Sequence, residues 1–190
     1  MNISPEARNH TNSLCIYDDM FIPGLAAIVK KIHKYDSYAV AQLNHRGQLL
    51  RSSVLGMQPV GPTNGIHPAT GEPVRGLNQD EIKDIQANFV QAAIRAKRAG
   101  YDGVEIHAAN GYLFHQFFTP RFNNREDKYG GSLENRMRFL METVEKIKYI
   151  CLDFNILVRI SASEFISGGY SLEDAIHLAK SLEKLEVAAI

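Results

Sequence analysis

The amino-acid sequence predicts an α/β protein built on a parallel sheet. Short apolar segments typical of buried strands alternate with amphipathic segments of helical spacing. The two long connections, residues 44–77 and 108–131, both follow a strand, whereas the connections that precede strands are short. Because functional side chains of parallel sheets gather at the carboxyl ends of the strands, this asymmetry indicates where a site should lie.

The first helix and strand are predicted between residues 22 and 43. Pro23 suits the first turn of a helix, and helical spacing relates the apolar residues Leu25, Ile28, Val29 and Ile32. We therefore expect a helix over about 22–34. The apolar run SYAVAQLNH that follows predicts a buried strand ending near Leu43.

The same order repeats in the middle of the chain. Asn78 with Glu81 three residues later resembles a capping box, and Gly100 stands where a helix would end in a left-handed residue. Helical spacing relates Ile82, Ile85, Phe89 and Ala93, which lie between them. The segment YDGVEIH then predicts the second strand.

Two further repeats complete the pattern. Ser132 is a good cap for a third helix, and FNILVRISAS predicts the strand after it. Ser171 with Asp174 predicts the start of a fourth helix, whose apolar residues include Leu172, Ile176, Ala179 and Leu182. The final residues, EVAAI, resemble a fourth strand cut short.

Composition limits the domain count and the partners. The 190 residues carry 21 Lys+Arg against 21 Asp+Glu and are 45% hydrophobic, values that suit one domain over 1–190. A neutral chain lacks the attraction that nucleic-acid and anionic-membrane binders use, so neither partner is expected. The N-terminus has no signal-like apolar run. Cys15 and Cys151 are too few for a disulfide framework, which favours a reducing cytoplasm.

The length excludes a closed eight-stranded barrel. Such a barrel needs roughly 250 residues, so we expect either part of a barrel or a smaller open sheet. No Gly-x-Gly-x-x-Gly follows the first strand, which weakens a dinucleotide-binding, doubly wound sheet. Asp102, Glu105 and His107 are close in sequence, but Asp102 faces away from the other two along a strand, and no metal site is predicted.

Polar residues at the strand ends are the candidates for chemistry. They are Gln42 on the first strand, His107 with Asn110 and Tyr112 on the second, and Arg159 on the third. Arg159 carries the most information, because a guanidinium within an apolar strand needs an anionic or hydrogen-bonding partner. A buried ion pair is the alternative for Arg159, a core amide for Gln42 and a plain loop residue for His45.

Three segments of the chain carry a recognisable pattern: AQLNHRGQ, GYDGVEIHAANGYLFHQFFTPRFNNREDKYGGSLENRMRF and LVRISAS. They resemble the old yellow enzyme family of FMN-dependent ene-reductases, including its dienoyl-CoA reductase branch. The resemblance implies a (β/α)₈ TIM barrel with flavin at its mouth. This chain would then be an incomplete barrel that holds strands three to five and the start of strand six.

The resemblance also implies roles for the candidates. Gln42 and Arg159 match positions that bind the pyrimidine edge of FMN, where a cation stabilises the charge gained with a hydride. His107 and Asn110 match the pair that binds a substrate carbonyl, and Tyr112 matches the acid that protonates the alkene. The expected reaction is reduction of activated C=C bonds with NAD(P)H as reductant.

Departures from the family pattern leave other functions open. Where members commonly carry His-Ala-Gly-Arg, this chain has His45-Arg46-Gly47-Gln48. The first strand, the FMN phosphate loops and an iron–sulfur cysteine cluster are not found. A non-catalytic barrel remnant and a hydrolase- or aldolase-like barrel are therefore alternatives. Strands near 39–43 and 187–190 should have open edges beside an apolar inner face, which predicts self-association.

Overall fold

The computed structural model describes residues 1–8 and 12–190 of the chain. The strands are β1 (Val40–Leu43), β2 (Val60–Gly61), β3 (Gly65–Ile66), β4 (Pro73–Gly76), β5 (Gly103–Ala108) and β6 (Asn155–Ile160). The helices are α1 (Ile22–His33), α2 (Ser52–Leu55), α3 (Gln79–Arg98), α4 (Leu113–Phe118), α5 (Leu133–Ile150) and α6 (Leu172–Lys184).

The main sheet contains the three predicted strands. It is parallel throughout, in the order β1-β5-β6. The chain ends extend it on both sides: Asn2 bridges to Asn44 beyond β1, and Ala189 bridges to Leu157 of β6. The expectation of an open edge at 39–43 is therefore wrong at the carboxyl end of β1, where the N–H of Asn44 donates to the oxygen of Met1 at 2.9 Å. The backbone oxygen of Ala189 accepts from the N–H of Val158 at 3.0 Å, which confirms a strand-like segment at the end of the chain.

One face of the main sheet packs against the helices. Val104 and Ile106 of β5 and Val158 of β6 are buried in the same core cluster as Phe89 of α3 and Leu140 of α5. Because side chains alternate along a strand, the residues between them point to the opposite face. We call that opposite face the inner face.

Capping side chains fix where two of the predicted helices begin. The side chain of Asn78 accepts from the backbone N–H of Asp80 and Glu81, and the Glu81 carboxylate accepts from the N–H of Asn78. The same reciprocal arrangement joins Ser171 and Asp174 before α6. Both predicted helix starts are confirmed.

The buried stripe of α6 differs from the predicted one. Ala175, Leu178 and Leu182 contribute to the core, whereas Leu172 and Ile176 are about half exposed. The predicted and the observed stripes are neighbours on the helix surface, and the helix packs with the Ala175, Leu178 and Leu182 stripe in the core. Ile176 and Ala179 instead line a shallow groove that also contains Val187, Ala189 and Ile190.

The two long connections are more ordered than the sequence indicated. Residues 44–77 contain α2 and a second small sheet of order β2-β4-β3, and residues 108–131 contain α4. Runs of two to six residues are too short for hydrophobic periodicity to reveal. In the described ranges 1–8 and 12–190, no helix combines the length and apolar character needed to cross a membrane.

Candidate functional site

The inner face of the main sheet carries the polar side chains predicted at the strand ends. Register places Gln42 of β1 beside Glu105 of β5, and His107 of β5 beside Arg159 of β6. These four side chains therefore form two adjacent cross-strand rows. The expectation of an apolar inner face is wrong at these positions.

The side chain of Gln42 is held by a neighbour that sequence reasoning did not select. Its Nε2 donates to the carboxylate of Glu105. Because an ionised carboxylate only accepts, this bond directs the NH₂ of Gln42 toward β5 and leaves its carbonyl oxygen available to an outside donor. Glu105 could have been found from its position two residues before His107, on the same face of the strand.

Arg159 is exposed on the inner face. Among the residues that the structure describes, its guanidinium has no hydrogen-bond or ion-pair partner, and the alternative of a buried ion pair does not hold. The positive charge of Arg159 helps to lower the pKa of His107. A guanidinium in this position has five donors available for a ligand.

The imidazole of His107 is buried and uncharged near neutral pH. Burial, followed by the charge of Arg159, lowers its pKa to about 4. Its Nδ1 is buried with no partner in the described part of the chain. A neutral imidazole that is already desolvated suits hydrogen bonding to a ligand oxygen, because little further desolvation is required.

A tight turn presents Asn110 beyond the end of β5. Asn110 and Gly111 both have positive φ, 56° and 76°, and the N–H of Tyr112 donates to the oxygen of Ala109 at 3.1 Å. This is the mirror-image turn that an Asn-Gly pair favours. The Asn110 N–H donates to Ser161 Oγ at 3.2 Å, and its side chain is exposed.

Tyr112 lies between two functional groups. Its ring contacts that of His107 edge-on at 4.3 Å between centroids. The guanidinium of Arg46, in the loop after β1, lies 5.5 Å from the centre of the same ring. The structure thus brings the side chains of both His107 and Arg46 into contact with the Tyr112 ring.

Gln116 of α4 joins the loops that follow β1 and β5. Its fully buried side chain donates to the backbone oxygens of Arg46 and Gly111, the latter at 2.6 Å, and accepts from the N–H of Gln48 at 3.1 Å. Sequence reasoning missed this residue. A signal was present, since an amide within the apolar run LFHQFF must find partners when buried.

His45 takes a structural position. It is 1% exposed, its Nδ1 accepts from the N–H of Gly47, and burial lowers its pKa to about 4. Among residues 1–8 and 12–190, no three His, Cys, Asp or Glu side chains converge on a metal-sized site.

Comparison with protein families gives a match over the whole chain. A family model described as the NADH:flavin oxidoreductase / NADH oxidase family matches residues 1–190. The chain is 40% identical over 185 residues to an NADH oxidase of Thermoanaerobacter brockii, covering 96% of the chain and 28% of that protein. It is 40% identical over 168 residues to an NADPH dehydrogenase of Listeria welshimeri, covering 88% of the chain and 48% of that protein.

Solved structures give the same result. The old yellow enzyme homologue from Zymomonas mobilis superposes with a TM-score of 0.87 at 34% identity, covering 98% of this chain and 56% of that one. Morphinone reductase in complex with tetrahydroNAD superposes with a TM-score of 0.90 at 33% identity, covering 98% and 57%. The chain therefore spans half or less of these two curated relatives and just over half of these two structures.

Proposed function

Because the chain belongs to the NADH:flavin oxidoreductase / NADH oxidase family, we propose that it is the part of an FMN-dependent barrel that binds the flavin ring edge and the substrate. In this proposal its strands are the third to fifth of eight, with the start of the sixth at residues 187–190. The barrel uses NADH or NADPH to reduce activated C=C bonds of the enone or enoate type. Its compartment is the reducing cytoplasm, which suits two free buried cysteines.

The residues of the inner face fit the cofactor that the family name specifies. A flavin ring edge offers carbonyl oxygens beside an N–H group. Arg159 supplies unpaired donors, and Gln42 supplies a carbonyl oxygen because Glu105 occupies its NH₂. Bound FMN would supply hydride transfer from the reduced nicotinamide to the substrate, and Arg159 would stabilise the negative charge that accompanies it.

The substrate side is formed by the end of β5 and the turn beyond it. His107 and Asn110 donate hydrogen bonds to the substrate carbonyl, which polarises the conjugated double bond. The neutral state of His107 suits this role, because the imidazole donates without holding a fixed positive charge. Tyr112, in contact with His107, supplies the proton to the alkene carbon.

One observation carries the proposal: Arg159, which has no partner among the described residues, lies across from a neutral His107 whose Nδ1 has no described partner either. The test is a titration of the chain with lumiflavin, which has the ring without the phosphate, and with FMN. We expect weak binding of both at similar strength, since the proposed phosphate loops lie outside this part of the barrel. Arg159→Gln should weaken both by about tenfold, the value of one charge-assisted hydrogen bond.

The matched control is Lys180→Gln, which removes a positive charge from α6 and should leave both affinities unchanged. An unchanged affinity in Arg159→Gln would contradict the role given to Arg159. Micromolar or tighter binding of FMN, with lumiflavin much weaker, would show that this chain holds the phosphate after all.

A further inference from the structure

Arg46 is a half-buried cation that has no anionic partner in the described part of the chain. Its Nε is buried without a hydrogen bond, and none of its other side-chain nitrogens bonds to a described residue. Its guanidinium lies 5.5 Å from the centre of the Tyr112 ring. A desolvated guanidinium donor without an acceptor is costly, so this arrangement indicates a partner supplied from outside these residues.

Hydrogen bonds hold the backbone at Arg46, so the loop places the side chain in a defined position. Gln116 donates to the Arg46 oxygen at 2.8 Å and also to the oxygen of Gly111, next to Asn110. The loop that carries Arg46 and the turn that carries Asn110 are therefore held in one arrangement. The guanidinium lies over the Tyr112 ring, and the attraction of a cation to a ring face favours this position.

We propose that Arg46 is a substrate-binding residue that selects substrates with a carboxylate on the same molecule as the carbonyl bound by His107 and Asn110. A guanidinium offers a planar fork of donors that matches a carboxylate. It lies against Tyr112, and Tyr112 lies against His107, so an anion held by Arg46 is within the length of one small organic molecule of the carbonyl site. This inference rests on the proposed function, because it extends the same substrate site.

The experiment compares two ligands that differ in one charge. 4-Hydroxybenzoate carries a carboxylate opposite its phenol oxygen, and its methyl ester carries the same ring and phenol without the charge. Binding of each to the chain is followed by ¹H–¹⁵N NMR titration in low salt. We expect the wild type to prefer the carboxylate by about tenfold, an advantage that shrinks as salt is added.

Arg46→Gln should remove this preference, with the carboxylate weakened about tenfold and the ester less than twofold. Arg46→Lys should keep part of it, because the charge remains while the planar fork is lost. Arg51→Gln is the matched control: it removes an exposed positive charge five residues away and should leave the preference intact. Circular dichroism spectra and melting curves of all variants check that they fold.

The outcomes separate this inference from the proposed function. Binding of the ester by the wild type supports the carbonyl site, and a carboxylate preference that survives Arg46→Gln overturns the role of Arg46 alone. Failure of both ligands to bind overturns both. If Arg46→Gln instead weakens FMN but not riboflavin, the anion is the flavin phosphate, and the assignment to substrate is wrong.

Discussion

Gly47 is the position where a single methyl group should disturb the site most. Its φ is +59°, a region that residues with a side chain adopt at a cost. A Cβ added there would stand 2.1 Å from Oε1 of Gln116. Gln116 cannot simply move aside, because its amide is buried and makes three hydrogen bonds to the surrounding backbone. Gly47→Ala must therefore break part of this arrangement.

The free energy of unfolding should fall by about 3–4 kcal/mol in Gly47→Ala. Left-handed strain accounts for about 1 kcal/mol of this loss. Displacement of Gln116 accounts for the rest, at about 1 kcal/mol for each buried hydrogen bond. In a Gln116→Ala background the obstruction is already gone, and the same glycine substitution should cost only about 1 kcal/mol.

Urea unfolding of the two single variants and the double variant measures this coupling. Gly131→Ala is the matched control, because Gly131 has a φ of +79° and no atom lies within 4 Å of an added Cβ, so only the strain of about 1 kcal/mol should remain. Equal costs of Gly47→Ala in the presence and absence of the Gln116 side chain would refute the reasoning.

Three further outcomes are expected. First, the pKa values of His45 and His107 are lowered to about 4, so between pH 6.5 and 4 the unfolded chain binds more protons than the folded chain. The free energy of unfolding should therefore fall as the pH drops from 6.5 to 4, by on the order of 1 kcal/mol per pH unit for each histidine. Urea unfolding at several pH values measures this fall, and His45→Gln should make it smaller. In a complete barrel, Tyr112→Phe should slow the alkene half-reaction in stopped-flow measurements and leave flavin reduction by NAD(P)H intact; equal slowing of both would contradict its role. The sheet edge formed by residues 187–190 and the exposed Ile176 and Ile190 should make the chain self-associate, and a compact monomer at all concentrations in sedimentation would count against this.

Local signals in the sequence were enough for the main elements. The capping boxes at Asn78 and Ser171 lie where they were predicted, because a cap depends on residues three positions apart. The turn at Asn110-Gly111 also depends on local sequence, because this residue pair tolerates positive φ. The strand ends followed from hydrophobic runs, and with them the positions of His107 and Arg159 on neighbouring strands.

Contacts between distant segments were not predictable in the same way. The pairing of Gln42 with Glu105 depends on the register of two strands, which a single strand does not encode. The hydrogen bonds of Gln116 reach back to a loop near residue 47, and no pattern within either segment indicates the other. The inner face was expected to be apolar, and the few polar residues on the three strands decide its character.

The bonds of Gln116 also constrain how this protein can exchange segments with its relatives. A crossover anywhere between residues 48 and 111 would combine the loop after β1 from one parent with α4 from another. The segment between α3 and β5, which is the natural boundary between two βα units, falls within that interval. Because these bonds are to backbone atoms, recombinants divided there should lose the common support of the two loops where the parent that supplies α4 has no glutamine at this position. Recombinants that inherit residues 44–118 from this protein keep it.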